Sequence, residues 1–198
     1  MKTKTTIFFI ILLVFSSCTA VKIPSERIYL DSNLTNNEGM ILGCFSFDMT
    51  DNNSIKNSYD FYFKKIGQND NNLNDKISLV PPQFAALTHK PDLIDGNNAI
   101  YYFGIKKEQG KYMFYALNTK VTVGTGMGIG NMDELIKMET PFEIEKNKIK
   151  YLGEIKFIAT KNYIKEKTFE WKYSFEFNNK SERDLKKLNE LFPNLKIE

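Results

Sequence analysis

The chain predicts an antiparallel β-sandwich of about eight strands with one C-terminal α-helix, and three observations lead there. Strand-favouring aromatics are abundant, with 16 Phe and 10 Tyr in 198 residues, a composition suited to pleated, half-buried surfaces. Apolar residues recur mostly at every second position in short runs, and clusters of Asn, Asp, Gly or Pro separate those runs. A clear helical period occurs at the end of the chain. Short strands with turns between them and a helix last are the pattern of a sandwich in one domain.

Residues 39–48 form the first strand. Its apolar run is almost unbroken, which predicts burial on both faces, and Asp48, Asp51, Asn52 and Asn53 end it. In 59–65, Tyr59, Phe61 and Phe63 oppose Asp60 and Lys64, the alternation of a half-buried strand. A polar loop over 67–75 leads to a short strand at 76–80, which Pro81 and Pro82 stop. Residues 83–98 read as irregular. Residues 99–106 and 111–118 read as a hairpin through Glu108, Gln109 and Gly110.

Residues 141–145 and 149–159 read as strands joined by a turn at 146–148. In the longer one, Ile149, Tyr151, Gly153, Ile155 and Phe157 share a face opposite Lys150, Glu154 and Lys156. The best alternation is Phe169, Trp171, Tyr173, Phe175 and Phe177, five aromatics that need cover. Ser181-Glu182-Arg183-Asp184 then reads as a capping box. It opens a helix with Leu185, Leu188, Leu191 and Phe192 on one stripe, ending before Pro193. A lipocalin-like β-barrel is the alternative fold, but the Gly-x-Trp signature near its first strand is missing, since the single Trp is Trp171.

The N-terminus carries an address. Lys2 and Lys4, an apolar stretch from Ile7 to Phe15 and the small pair Ser16 and Ser17 have the layout of a secretory signal peptide. The stretch is too short to span a bilayer as a permanent helix. Cys18, placed directly after it, makes the segment resemble a bacterial lipoprotein signal, although Phe15 stands where such signals usually carry an aliphatic residue. That resemblance implies cleavage before Cys18, which becomes the new, acylated N-terminus with its thiol linked to lipid through a thioether. Thr19, rather than Asp, looks like the sorting pattern for the outer membrane. The expected organisation is a signal peptide over 1–17, a tether over 18–38 and the sandwich with its helix over 39–198.

Composition narrows the function classes. The formal charge of +3 includes Lys2 and Lys4, so without the signal 25 basic residues face 24 acidic ones. Lysines are interrupted by acids, as at Glu166 and Glu170, which excludes the electrostatic footprint of nucleic-acid binding. With Cys18 acylated, Cys44 has no intrachain partner, and its apolar surroundings predict a buried, inert thiol.

No motif for chemistry emerges. Gly124-Thr125-Gly126-Met127-Gly128-Ile129-Gly130 has the wrong spacing for a dinucleotide fingerprint or a P-loop and reads as a flexible loop or a strand edge. A mobile loop there could also dock a partner. Asp70 to Asp75 resembles a calcium loop, but Asp75 replaces the turn glycine and Pro81 replaces the bidentate Glu. His89 is the sole histidine, which leaves a zinc site few ligands. Glu143 and Glu145 read as an outward pair beside lysines. The expectation is no catalytic residue, no cofactor and no metal.

Three segments together resemble a loose group of uncharacterised Gram-negative envelope lipoproteins: Gly39-Met40-Ile41-Leu42-Gly43-Cys44-Phe45-Ser46-Phe47, then Pro141-Phe142-Glu143-Ile144 with Tyr151-Leu152-Gly153-Glu154-Ile155, then Ser181-Glu182-Arg183-Asp184-Leu185 to Pro193. The resemblance covers about a third of the chain and its motifs are structural. It implies a sandwich in a periplasmic or surface setting, held on the outer membrane through Cys18. The functional expectation is a non-enzymatic binding or structural module with an envelope protein or glycan as partner. A carrier of a small apolar ligand in a barrel is the alternative, and an envelope hydrolase comes after it.

Overall fold

β1 (Glu38–Asp48) is the strand around which the molecule is built. In the computed structural model, which describes residues 34–50, 57–67, 75–79, 90–125, 128–165 and 168–198, its run from Gly39's neighbour Met40 to Phe47 is buried throughout. It continues through β2 (Asn57–Lys65), β3 (Lys76–Leu79), β4 (Leu93–Asp95), β5 (Asn98–Glu108), β6 (Gly110–Thr125), β7 (Gly128–Ile144), β8 (Ile149–Lys165) and β9 (Thr168–Asn178) to the helix α1 (Ser181–Leu191). One sheet has the order β4-β5-β1-β8-β9 and the other β3-β2-β6-β7. Neither closes on itself among the described residues, so the architecture is a mainly β sandwich with a C-terminal helix.

The space between the sheets is filled by rings. Phe45 of β1 stacks on Phe61 of β2 with centroids 3.6 Å apart and on Phe103 of β5 at 4.5 Å. Phe47, Tyr59, Phe63, Tyr101, Tyr112, Phe114, Phe142 and Phe157 are the other buried rings of this cluster, packed together with aliphatic residues. On the other face of the first sheet, Met40, Leu42, Cys44, Ile100 and Tyr102 meet Leu188 of α1 and Leu195 of the tail. β1 therefore lacks polar alternation because both of its faces are covered.

Several details differ from the sequence expectations, each for a physical reason. The segments read as a hairpin, now β5 and β6, belong to different sheets: β5 pairs with β1 and β4, and β6 with β2 and β7. A tight turn fixes a change of direction, not hydrogen bonding between its flanks. The turn from β7 to β8 switches sheets in the same way, through Asn147 at φ 57°. The stretch read as irregular contains β4, three residues long. Pairing is antiparallel except between β1 and β8, which run parallel, with Met40 beside Ile149 and Phe47 beside Phe157.

The most consequential difference lies within β8. Its register to β1 shifts after Leu42, where Tyr151 is the partner, so that Gly153 follows opposite Gly43 and Leu152 is the extra residue. This β-bulge reverses the alternation. Ile149 and Tyr151 face the helix layer, whereas Ile155 and Phe157 face the sheet-to-sheet core, so the single face expected from Ile149 to Phe157 does not exist. Gly153 sits at φ 118°, a conformation that L side chains rarely adopt.

The glycine-rich stretch does not form an open loop over its flanks: Thr122–Thr125 pairs with Gly128–Asn131 at the end of the β6–β7 hairpin. Among the described residues β2 reaches only to Val121 and β1 only to Phe157. Among those residues, two ribbons, the ends of β6–β7 and β8–β9, thus run on past the strands beside them at the end where β1 stops. Cys18, His89, the Asp70–Asn74 part of the calcium-like loop, and Pro81 and Pro82 lie outside the described residues.

Candidate functional site: a polar clasp beneath the helix

The bulge at Gly153 has a chemical result. It turns Glu154 away from the rings and towards α1, beside Cys44 and opposite Asn178. Tyr102, Cys44, Glu154 and Asn178 are register neighbours across β5, β1, β8 and β9, so they form a polar row over four adjacent strands. Onto this row the first turn of α1 lowers Arg183 and Asp184.

Asp184 is fully buried, and its carboxylate is surrounded by donors. Tyr102 donates its hydroxyl to Oδ1 at 3.0 Å, Arg183 Nε donates to the same oxygen at 2.7 Å, the Cys44 thiol donates to Oδ2 at 3.3 Å, and Tyr151 also donates to Oδ2. Arg183 spreads over further carboxylates, with Nη1 on Asp95 of β4 at 2.8 Å and Nη2 on Glu154 at 2.9 Å. Glu154 is itself 3% exposed and accepts a second bond from Asn178 Nδ2 at 3.1 Å. Every strand of the first sheet thus contributes a side chain to one network, as buried charges require if they are to be tolerated.

The electrostatics favour a static clasp over a reactive centre. Burial, and then the neighbouring Asp184 charge, hold the Cys44 thiol well above its usual range, so it stays a hydrogen-bond donor and not a thiolate nucleophile. Burial raises Tyr102 and Tyr151 in the same direction, with Asp184 adding to the effect. Partial burial opposes the Arg183 charge, but its bonds to Asp184, Asp95 and Glu154 outweigh that and keep the guanidinium protonated. Among the described residues no group of three or more His, Cys, Asp and Glu is placed to hold a metal ion.

The capping box expected at Ser181–Asp184 is not formed. Lys180 occupies the N-cap position without a side-chain bond, and Asn179 Oδ1 instead accepts from the Ser181 N–H at 3.1 Å. Asp184 is engaged inward, so it cannot reach back to the helix start. Cys44 is the buried thiol the sequence suggested. Glu145 takes Lys148 at 3.2 Å and also Lys150, and Glu143 is exposed. Arg183, Asp184, Glu154, Tyr102 and Tyr151 were not singled out as a group. One signal existed: Asp184 stands four residues before Leu188 and hence on the apolar stripe, an unusual place for a carboxylate without a buried partner.

Beside the clasp, between β8, the end of β9 and the start of α1, a cleft of about 400 Å³ opens to the surface. The expected cover for five aromatics fails at its rim: Tyr173 and Phe175 pack on the core, but Phe177 is 51% exposed.

No family model matches this chain, and no curated protein does. Among solved structures it is similar to a leucine-rich repeat protein from Bacteroides thetaiotaomicron, at 13% identity and a TM-score of 0.31. The alignment covers 62% of this chain and 14% of that protein, a likeness too slight to bear on fold or function.

Proposed function

We propose that this is a lipid-anchored protein of the cell envelope, held on the outer membrane by an acylated Cys18, whose sandwich is a non-enzymatic binding or structural module for an envelope protein or glycan. The observation that carries this reading is the junction at Cys18: a basic start, a short apolar stretch and two serines immediately before a cysteine. Glu38, where β1 begins, follows 20 positions later, a length of chain that spans at most about 70 Å when extended. The tether joins the chain at the start of β1, and the two ribbons lie at the opposite end of that strand. A helix fastened by a satisfied network, with its thiol and phenols held protonated, supports a scaffold role.

Metabolic labelling with an alkynyl palmitate analogue tests the anchor. Label should enter the wild-type chain and be absent from Cys18→Ser, and the labelled chain should fractionate with outer membranes. Label retained in Cys18→Ser, or absent from the wild-type chain, would overturn the reading.

A further inference from the structure

A sheet edge with unpaired backbone groups accepts a further strand, and proteins blunt such edges with short strands, prolines or inward charges. Three of the four edges here are treated in that way. β4 has three residues and β3 four, and β7 is interrupted by Pro141, which has no N–H to offer a ladder. β9 is different. It has 11 residues and no proline, and among the described residues it pairs only with β8. Its odd positions, the face that Tyr173 and Phe175 turn to the core, hold no charged residue.

The charges of β9 show what would complete this edge. A second β9 related by a two-fold axis runs antiparallel to the first. Cross-strand neighbours share a face, so the axis must pass through a residue rather than between two. An axis at Ser174 sets Lys172 opposite Glu176 of the second copy and, by symmetry, Glu176 opposite its Lys172, all exposed side chains. The same register sets Tyr173 opposite Phe175 and brings the half-exposed Phe177 diagonally beside Tyr173 of the second copy. Neighbouring registers lose this match. At Tyr173 the axis opposes Glu170 to Glu176, and at Phe175 it leaves Lys172 opposite Asn178. At Lys172 or Glu176 it sets like charges face to face.

We propose that this chain forms a two-fold homodimer by pairing β9 with β9, with Ser174 on the axis, so that the five-stranded sheets of two copies join into one. This goes beyond the binding-module reading and does not depend on the anchor. Because the axis reverses strand direction, the two β1 starts lie at opposite ends of the joined sheet. Tethers of up to about 70 Å let both reach one membrane when the strands lie along it.

Analytical ultracentrifugation of the full chain in density-matched detergent tests the pairing. The wild type should be mostly dimer at about 100 μM, where a micromolar affinity suffices. Lys172→Glu and Glu176→Lys should each weaken dimerisation about tenfold or more, since each places two like-charge pairs in the interface. The double variant should recover wild-type association. Ser174→Cys should give a disulfide-linked dimer in membranes under mild oxidation, whereas Glu143→Cys on β7 should not. Circular dichroism of every variant should match wild type, which separates lost pairing from lost folding. A monomeric wild type, single variants that associate as wild type, or a double variant as weak as the singles would overturn the interface. Crosslinking of Glu143→Cys equal to that of Ser174→Cys would do the same. Palmitate labelling does not read this interface, so the two proposals fail separately.

Discussion

The two faces of the β4-β5-β1-β8-β9 sheet are held by different physics. One face is covered by a second sheet through stacked rings, as in the Phe45, Phe61 and Phe103 set. The other is covered by a helix of 11 residues and the short tail after it, a smaller layer, and the helix is fastened by Arg183 and Asp184 onto a polar row. Ring packing is nearly non-directional and tolerates small shifts. The clasp is directional, because each charge is satisfied in one arrangement only. The comparison teaches that a small cover layer can be positioned accurately when hydrogen bonds supply the specificity that its area cannot.

The largest expected effect is on the ring face. Phe61→Ala should lower the unfolding free energy by about 3–5 kcal/mol, measured by denaturant melts, and should loosen both layers together. Arg183→Met should cost about 3 kcal/mol, because Asp184 and Glu154 would remain buried without their cation. Hydrogen exchange should distinguish the two: in Arg183→Met protection should fall first in 181–191 and persist in β1, and uniform loss across both faces would erase the proposed difference.

Alkaline pH sharpens the contrast further. The folded clasp holds the Cys44 thiol above its ordinary value of 9.0 and the Tyr102 hydroxyl above 10.0, so above pH 9 the unfolded chain releases protons that the folded one keeps. Stability is therefore full below pH 9 and declines above it, on the order of 1 kcal/mol per pH unit for each such group. Cys44→Ala should flatten the first part of that decline, and an unchanged slope would show that the thiol is not part of it. The smallest effect belongs to Leu191, which the stripe pattern placed in the core but which is 40% exposed. Leu191→Ala should move stability by less than about 0.5 kcal/mol.

Much of the framework was legible from residue patterns. β1 announced its double burial by an unbroken apolar run, and β2 its single buried face by strict alternation. Sheet membership was less legible, because the turns at Gln109 and Asn147 look like hairpin turns whether or not their flanking strands pair. The reversed face of β8 was hidden for a related reason: Gly153 fits an alternating pattern, and only the extra Leu152 against β1 exposes the bulge. The clasp was hidden because its members come from six separate elements. Arg183 and Asp184 look like ordinary first-turn residues until Glu154, Cys44 and the two tyrosines are brought beneath them.

The parallel pairing of β1 with β8 carries a consequence for how the molecule is made. β1 leaves the ribosome early, yet its Met40 must wait for Ile149, more than a hundred positions later, before its second edge is bonded. Long-range closure of this kind raises contact order and places folding in the millisecond-to-second range of β-rich topologies. Throughout that wait, a strand destined for burial on both faces keeps an unpaired edge, the template on which chains stick to one another. A chaperone that shields 39–47 until β8 arrives would therefore raise yield more than one acting on any later segment.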